Sequence, residues 1–328
     1  MNWRADEETP RPPSSAGSDT KEWKLIEKLV SQLGAEQRRS RRWGIFFKLL
    51  TFAYLFVLLV LMAEGFGAGN LPKADRYTAL VDVRGVIADE ERASADMIVT
   101  GLRAAFKAKG TQGVVLRINS PGGSPVQAGY VYDEIKRLRT LHPNIPVYAV
   151  ITDLGASGAY YMAAAADEIY ADKASLVGSI GVVAGGFGFV DTMEKIGVER
   201  RLYTSGEHKA FLDPFSEENQ EEVAFWKSVL DTTHQQFIAK VKEGRGERLK
   251  TEEKVFSGLI WNGEQALELG LIDGLGSAGY VAREVVGAEE IADFTPQPDP
   301  FEQFAKSLGV AAGEAMARVM GSGGMQLR

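Results

Sequence analysis

Cysteine is absent from the chain and histidine nearly so: of 328 residues, His142, His208 and His234 are the three histidines. The first absence excludes disulfides, a thiol nucleophile and any thiolate metal site. The second leaves little from which to build a histidine metal centre or a Ser-His-Asp triad, because the three lie far apart without ligand-like spacing. No metal and no cofactor is therefore expected. Long basic tracts are missing beyond the N-terminal region, and the net charge of −7 argues against nucleic acid as a partner. The lack of disulfides does not fix the compartment, since large exported domains can do without them. What the chain does have is the balance of a protein with a core, 45% hydrophobic and 25% charged residues. Its length suffices for one large domain or two small ones, with appendages.

The first residues, Met1 to Thr20, are rich in Pro, Ser and charge and read as a disordered tail. Lys21 to Leu33 sets Trp23, Ile26, Leu29, Val30 and Leu33 on one helical face. Such a helix suits a membrane surface or a copy of itself, and a short frayed helix without a partner fits equally well. Arg38, Arg39, Arg41 and Arg42 then precede an apolar run, Trp43 to Ala63. As a helix this run is about 30 Å long, enough for a bilayer core. Lys48 lies near its basic end and can snorkel to the interface. Arginines before the span, with only scattered charge after it, put the N-terminus in the cytoplasm and everything from Glu64 onward on the far side. A cleaved signal peptide is the alternative; the long polar leader and the length of the apolar run favour a signal anchor.

From Tyr77 onward, strand-like and helix-like runs alternate. Tyr77–Ile87 reads as a strand pair or bent strand, Ser94–Ala108 as a helix and Gly113–Ile118 as a buried strand. Val126–Leu141 reads as a helix, and Ile145–Thr152 and Glu168–Ala171 as strands. The alternation predicts an α/β fold with a largely parallel sheet, whose sites form in loops at the carboxyl ends of strands. Two loops qualify: Asn119-Ser-Pro-Gly-Gly-Ser124 and Gly155-Ala-Ser-Gly-Ala159, side by side on one sheet edge. The glycine-rich Leu176–Gly188 lacks the Lys and Ser/Thr spacing of a phosphate cradle and reads as tightly packed loops and short strands. Val198–Tyr203 reads as a strand. Ser216 is expected to cap a long helix to about Gly244, with Val223, Trp226, Leu230, Phe237 and Val241 on its core face. An end piece covers Leu249–Val286, and an amphipathic helix Phe301–Met320.

Ser157 is the hydroxyl at the centre of this pattern. A serine between small residues at a strand-to-helix turn meets free N–H groups that favour developing negative charge, which suits a nucleophile. Taken alone, the same position also suits an ordinary N-cap. A nucleophile needs a base, and no histidine is well placed. Lys209 sits in a loop beside Phe211, Leu212 and Pro214. A lysine of ordinary pKa, about 10.4, is no base at neutral pH, but burial among apolar groups can bring it to about 7–8. Serine–lysine dyads are a known variant of triad logic. The competing reading of Lys209 is an exposed loop lysine, with His208 its solvent-facing neighbour. Pro121-Gly122-Gly123 can turn an N–H outward with no side chain in the way, and the Gly158 N–H would be a second oxyanion donor. Standing alone, the same three residues make an ordinary turn.

These motifs together resemble the signal peptide peptidase A (SppA) type of serine–lysine peptidase, over about Tyr77 to Val286. The resemblance is carried by Asn119–Ser124, Ala156-Ser-Gly-Ala-Tyr-Tyr161, Gly178-Ser-Ile-Gly-Val182, Ser205-Gly-Glu-His-Lys209 and Trp261–Asp273, in matching order and spacing. It implies a Clp-protease/crotonase-like fold of repeated β-β-α units, preceded by the transmembrane helix. It implies Ser157 as nucleophile, Lys209 as general base and Ser179 as a hydroxyl that orients the lysine, with Gly122, Gly123 and Gly158 at the oxyanion hole. One departure is Gly155-Ala-Ser-Gly-Ala159, where the family more often reads Ala-Ala-Ser-Gly-Gly. The implied protein is a single-pass bacterial inner-membrane endopeptidase with its catalytic domain in the periplasm. It would degrade cleaved signal peptides and other short hydrophobic peptides at the bilayer. It would also assemble as a homo-oligomeric ring or dome, with the dyad shared between neighbours. The implied layout is a cytoplasmic tail over 1–42, an anchor over 43–63, a linker over 64–76, the peptidase domain over 77–290 and a C-terminal linker and helix over 291–328. Alternatives are a peptidase of membrane-protein segments in the same family, an acyl-CoA enzyme on the same scaffold, which the apolar span counts against, and a non-catalytic scaffold.

Overall fold

Three long strands carry the core of the computed structural model, which describes Lys28 and residues 41–58, 60, 75–250 and 252–297. They are β1 (Tyr77–Arg84), β2 (Thr111–Ser120) and β3 (Val147–Ala156), each a run of mostly buried residues. Parallel strands covered on both faces require such runs. They pair in parallel, β1 with β2 and β2 with β3. Ile291–Asp293 (β8) adds to the outer edge of β1. Strand β3 has two partners along its other edge. Tyr148–Ile151 pairs with β4 (Glu168–Ala171), and Leu154–Ala156 pairs with β5 (Leu176–Gly178). Ile260–Asn262 (β6) closes that side antiparallel to β5, and Gly274–Leu275 (β7) pairs with β4. The mixed α/β sheet with its parallel strands fits the Clp-protease-like architecture that the resemblance implies.

Between β2 and β3 the register slips after Ile118, so that Ser120 faces Gly155. That slip brings the loop leaving β2 against the turn leaving β3.

The chain divides into two compact units, Met1–Ala68 and Gly69–Arg328. In the first, residues 41–58 form a helix, α1, whose apolar side chains, Trp43, Phe46 and Phe52 among them, are exposed. Among the described residues no helix is long and apolar enough to cross a membrane; the expected span, 43–63, runs on past the described part of α1. The expected amphipathic helix at Lys21–Leu33 lies outside the described residues apart from Lys28, as do the N-terminal tail and the C-terminal helix.

In the second unit, α2 (Ala95–Lys107), α3 (Pro125–Leu141) and α4 (Gly158–Ala163) lie against the sheet. Helix α3 starts where Ser124 Oγ accepts the Gln127 N–H and Pro125 occupies the first turn, where a missing N–H costs nothing. Its buried stripe is Ala128, Val131, Tyr132, Ile135 and Leu138. A smaller cluster of Leu80, Val115, Tyr148, Val150, Ala278 and Val281 fills the opposite sheet face.

Three expectations need correction. Val198–Tyr203 is not a strand: it is irregular and exposed, and it pairs with no strand among the described residues. The glycine-rich Leu176–Gly188 is packed only as far as Ile180, and residues 183–189 are exposed. The short helix α5 (Val190–Ile196) follows, and the long helix α6 spans Gln220–Arg245. It is capped by Asn219, whose side chain accepts the Glu221 N–H, rather than by Ser216, which instead donates to Asp213. Of its predicted core face, Phe237 and Val241 are buried. Val223, Trp226 and Leu230 are only half-buried, with Trp226 set against Phe211 of the preceding segment. At the far end Arg245 is buried and makes paired hydrogen bonds to Asp273, which also binds Arg248.

Candidate active site

Ser157 occupies the single-residue step between β3 and α4 with φ +53° and ψ −126°. A side chain with a Cβ rarely enters this region, and the strain points the hydroxyl out of the turn. Its own N–H donates to the Gly178 carbonyl at 2.8 Å. Ser157 Oγ makes no capping hydrogen bond to α4, and an N-cap would hold extended backbone geometry. The capping reading of this serine therefore fails.

The loop after β2 presses on this turn. Gly122 has φ +92°, and a Cβ there would stand 2.7 Å from the Ala156 oxygen, 2.7 Å from the Gly158 nitrogen and 2.8 Å from Ser157 Cβ. At Gly123, φ +149°, a Cβ would stand 2.1 Å from the Ile87 carbonyl oxygen. Both positions require glycine for space as well as conformation. Ile87 clamps the loop: its N–H donates to the Gly122 carbonyl at 2.9 Å and its carbonyl accepts the Ser124 N–H at 2.7 Å. The Gly122 N–H is taken by Ser120 Oγ at 3.1 Å. The Gly123 and Gly158 N–H groups make no hydrogen bond to a described residue. They are close neighbours, for the Cβ position on Gly158 lies 3.4 Å from the Gly123 nitrogen. Of the three glycines named from the sequence, Gly123 and Gly158 thus keep a free donor beside Ser157, and Gly122 supplies the tight turn.

Ser179 joins the same site. It follows β5 with φ +52°, and its N–H donates to the Leu259 carbonyl at 2.7 Å. Ser157, Ser179 and the three glycines all line one groove of 1170 Å³. Its walls include Val86, Val126 and Tyr130, all exposed, and half-buried Tyr161. Burial holds the Tyr161 phenol above the ordinary tyrosine range. No group of three or more metal-ligating side chains converges among the described residues.

Lys209 is elsewhere. It is exposed, on the turn from Ser205 to Leu212, and does not line the groove. It belongs to an arm, residues 182–219, tied mainly to itself. Phe189 stacks on Phe215, the Phe189 N–H donates to the Pro214 carbonyl at 2.7 Å, and Arg200 pairs with Asp213. His208 faces Glu222, with Nδ1 3.4 Å from the carboxylate. Within one chain the structure therefore brings together Ser157, Ser179 and the glycines, and leaves Lys209 apart.

Sequence reasoning missed three contributors. Ser120 was legible only as part of the Asn-Ser-Pro-Gly-Gly string, and Ile87 only as the end of a bent strand. His234, which lines the groove from α6, left no signal in the sequence.

Comparison with known proteins gives this geometry a context. The sequence profile of peptidase family S49 matches residues 139–291, which includes Ser157, Ser179 and Lys209 and starts beyond the Pro121–Gly123 loop. The chain is 31% identical over 223 residues to a putative signal peptide peptidase SppA of Enterococcus faecium, covering 66% of this chain and 64% of that one. A putative protease of Synechocystis is 32% identical over 199 residues, 61% of this chain and 69% of the relative. A Brucella abortus protein named Na(+)/H(+) antiporter NhaA is 46% identical over 186 residues, 57% of this chain but 25% of its own length. The chain thus spans a quarter of the Brucella protein and just under two thirds of the Enterococcus one.

Proposed function

Since the chain belongs to peptidase family S49, we propose that it is a membrane-anchored serine endopeptidase whose nucleophile is Ser157 and whose base is Lys209 of a neighbouring subunit. The observation that carries the reading is the strained Ser157 turn with two unengaged N–H groups, those of Gly123 and Gly158, beside it. A carbonyl presented to Ser157 Oγ would place its oxygen near both donors as it becomes an oxyanion. Lys209, oriented by Ser179, takes the serine proton as the C–O bond forms and returns it to the leaving amine. Water then repeats the cycle on the acyl-enzyme.

Because Lys209 is exposed and does not line the groove of its own chain, a second copy is the natural source of the base. The arm's apolar side chains support this: Val183, Phe187 and Tyr203 are 92, 81 and 89% exposed. Such a surface is expected to be covered by another subunit. Exposed Val86, Val126 and Tyr130 along the groove support short hydrophobic peptides as substrates, cleaved signal peptides first among them. The arginines before the apolar run support an anchor over 43–63 in the inner membrane, with a cytoplasmic N-terminus and the peptidase unit in the periplasm.

The test mixes two inactive variants. Ser157→Ala and Lys209→Ala should each abolish hydrolysis of a hydrophobic peptide by the detergent-solubilised protein while leaving assembly intact. Dissociated and reassembled together, they should recover about a quarter of wild-type turnover, the fraction of sites that draw an intact serine and an intact lysine from different chains. No recovery in mixed assemblies would sink the shared site, and full activity of either single variant would sink the dyad.

A further inference from the structure

The turn that carries Ser179 is tethered at three consecutive residues to three different elements. Gly178 accepts the Ser157 N–H, Ser179 donates to Leu259, and the Ile180 carbonyl lies 3.1 Å from His234 Nε2. The first two tethers are backbone to backbone and are kept by almost any sequence. The third is a side chain. Ile180 is fully buried, so its carbonyl has no ready substitute partner. An acceptor carbonyl requires the proton on Nε2, which fixes that nitrogen as the donor.

His234 also marks a change along α6. Together with buried Phe237 and Val241 it forms an i, i+3, i+7 set, the face that meets the body. Towards the N-terminus the same helix is half-buried or exposed and contacts the arm through Phe225 and Trp226, both packed edge-on to Phe211. His234 is thus the point at which the helix bearing the arm is bonded to the turn bearing Ser179.

We infer that His234 is a positioning residue: by holding the Ile180 carbonyl it fixes the Ser179 hydroxyl in the groove beside Ser157 and sets the register between that turn and helix α6. The inference rests on the reading of Ser157 and Ser179 given above and adds a residue of the groove wall that acts through Ser179.

The experiment uses the full-length assembled protein and a hydrophobic peptide substrate, with Ser157→Ala as control. His234→Leu fills the space and removes the donor. It is expected to lower kcat by about tenfold to thirtyfold, with KM within twofold and thermal melting close to wild type. His234→Gln, whose amide nitrogen can reach the position of Nε2, should recover kcat to within about threefold of wild type, whereas His234→Asn, one bond shorter, should not. If His234→Leu fails to fold, the Gln and Asn variants decide alone. Wild-type turnover in His234→Leu, or equal losses in Gln and Asn, would overturn the inference while leaving the nucleophile in place. Turnover by Ser157→Ala, or none by wild type, would remove the underlying reading and the inference with it.

Discussion

Between Tyr77 and Ile180 the large apolar side chains are nearly all buried, and of the five that are exposed, Val86, Val126 and Tyr130 line the groove. From Phe187 to Phe215 the situation reverses: Phe187, Ile196, Val198 and Tyr203 are all exposed, and the segment meets helix α6 through Phe211 and His208. The body is a structure completed by its own chain. The arm has the composition of a core without the burial of one, as expected of a surface that awaits a partner. The strings that carry the family resemblance fall on both, Ser157 on the body and Lys209 on the arm.

The sharpest way to break this contrast is in the body, at the loop that presses on Ser157. In Gly122→Val the new side chain would meet backbone atoms of Ala156 and Gly158 at 2.7 Å, in a conformation with φ +92° that valine avoids. Displacing the Gly158 N–H should cost about a thousandfold in kcat, on the order of 4 kcal/mol, the scale of losing an oxyanion donor. Steady-state kinetics beside a melting curve would check this. A fall of less than tenfold in a folded variant would mean that the loop does not define the site.

In the arm the corresponding variant should leave the fold alone and change association. The pair Phe187→Ser and Tyr203→Ser removes two exposed rings, of which Phe187 meets Phe189 within the arm itself. The subunit dissociation constant should rise about a hundredfold, as for loss of aromatic anchors at an interface, with an unchanged far-ultraviolet circular dichroism spectrum. Sedimentation equilibrium is the measurement. An assembly as tight as wild type would show that the arm serves some other purpose.

The sequence was most legible where burial alone decides structure. The four strands at the centre and helices α2 and α3 follow from apolar periodicity and turn residues, because both faces of a parallel sheet must be covered. Ser157 and Ser179 could be named from their motifs, yet their positive φ values could not, since any serine looks the same in a string. The strand expected at Val198–Tyr203 failed for the same reason that the arm is exposed: β-propensity reports a fit to a pleated, half-buried surface, and here no neighbouring strand provides one. Capping by Asn219 rather than Ser216 is a local competition, settled by the Asp213–Phe215 turn that takes the Ser216 hydroxyl. His234 was invisible because its role depends on a carbonyl 54 residues away in sequence.

The smallest effect concerns the wall behind the groove. Glu134 is buried between α2 and α3 and accepts hydrogen bonds from Arg137, at 2.6 and 2.8 Å, and from Arg103 at 2.7 Å. The Arg137 hydrogen bonds are the main cause that holds its carboxyl down, to about 2, against the opposing effect of burial. A carboxylate depressed in the folded state contributes stability that is fully present above its unfolded pKa, 4.5, and is lost as pH falls towards 2. Both arginines are about half exposed, so solvent screens much of the pairing and the contribution is on the order of 2 kcal/mol. Denaturant unfolding from pH 6 to pH 2.5 should therefore show a loss of stability for wild type that is shallower in Glu134→Gln, which starts less stable. Parallel profiles would mean that the carboxylate is not what joins the two helices. Because α3 also supplies Val126 and Tyr130 to the groove, loosening this joint should raise KM for a hydrophobic peptide before it changes kcat, which keeps the wall distinct from Ser157 and from the arm.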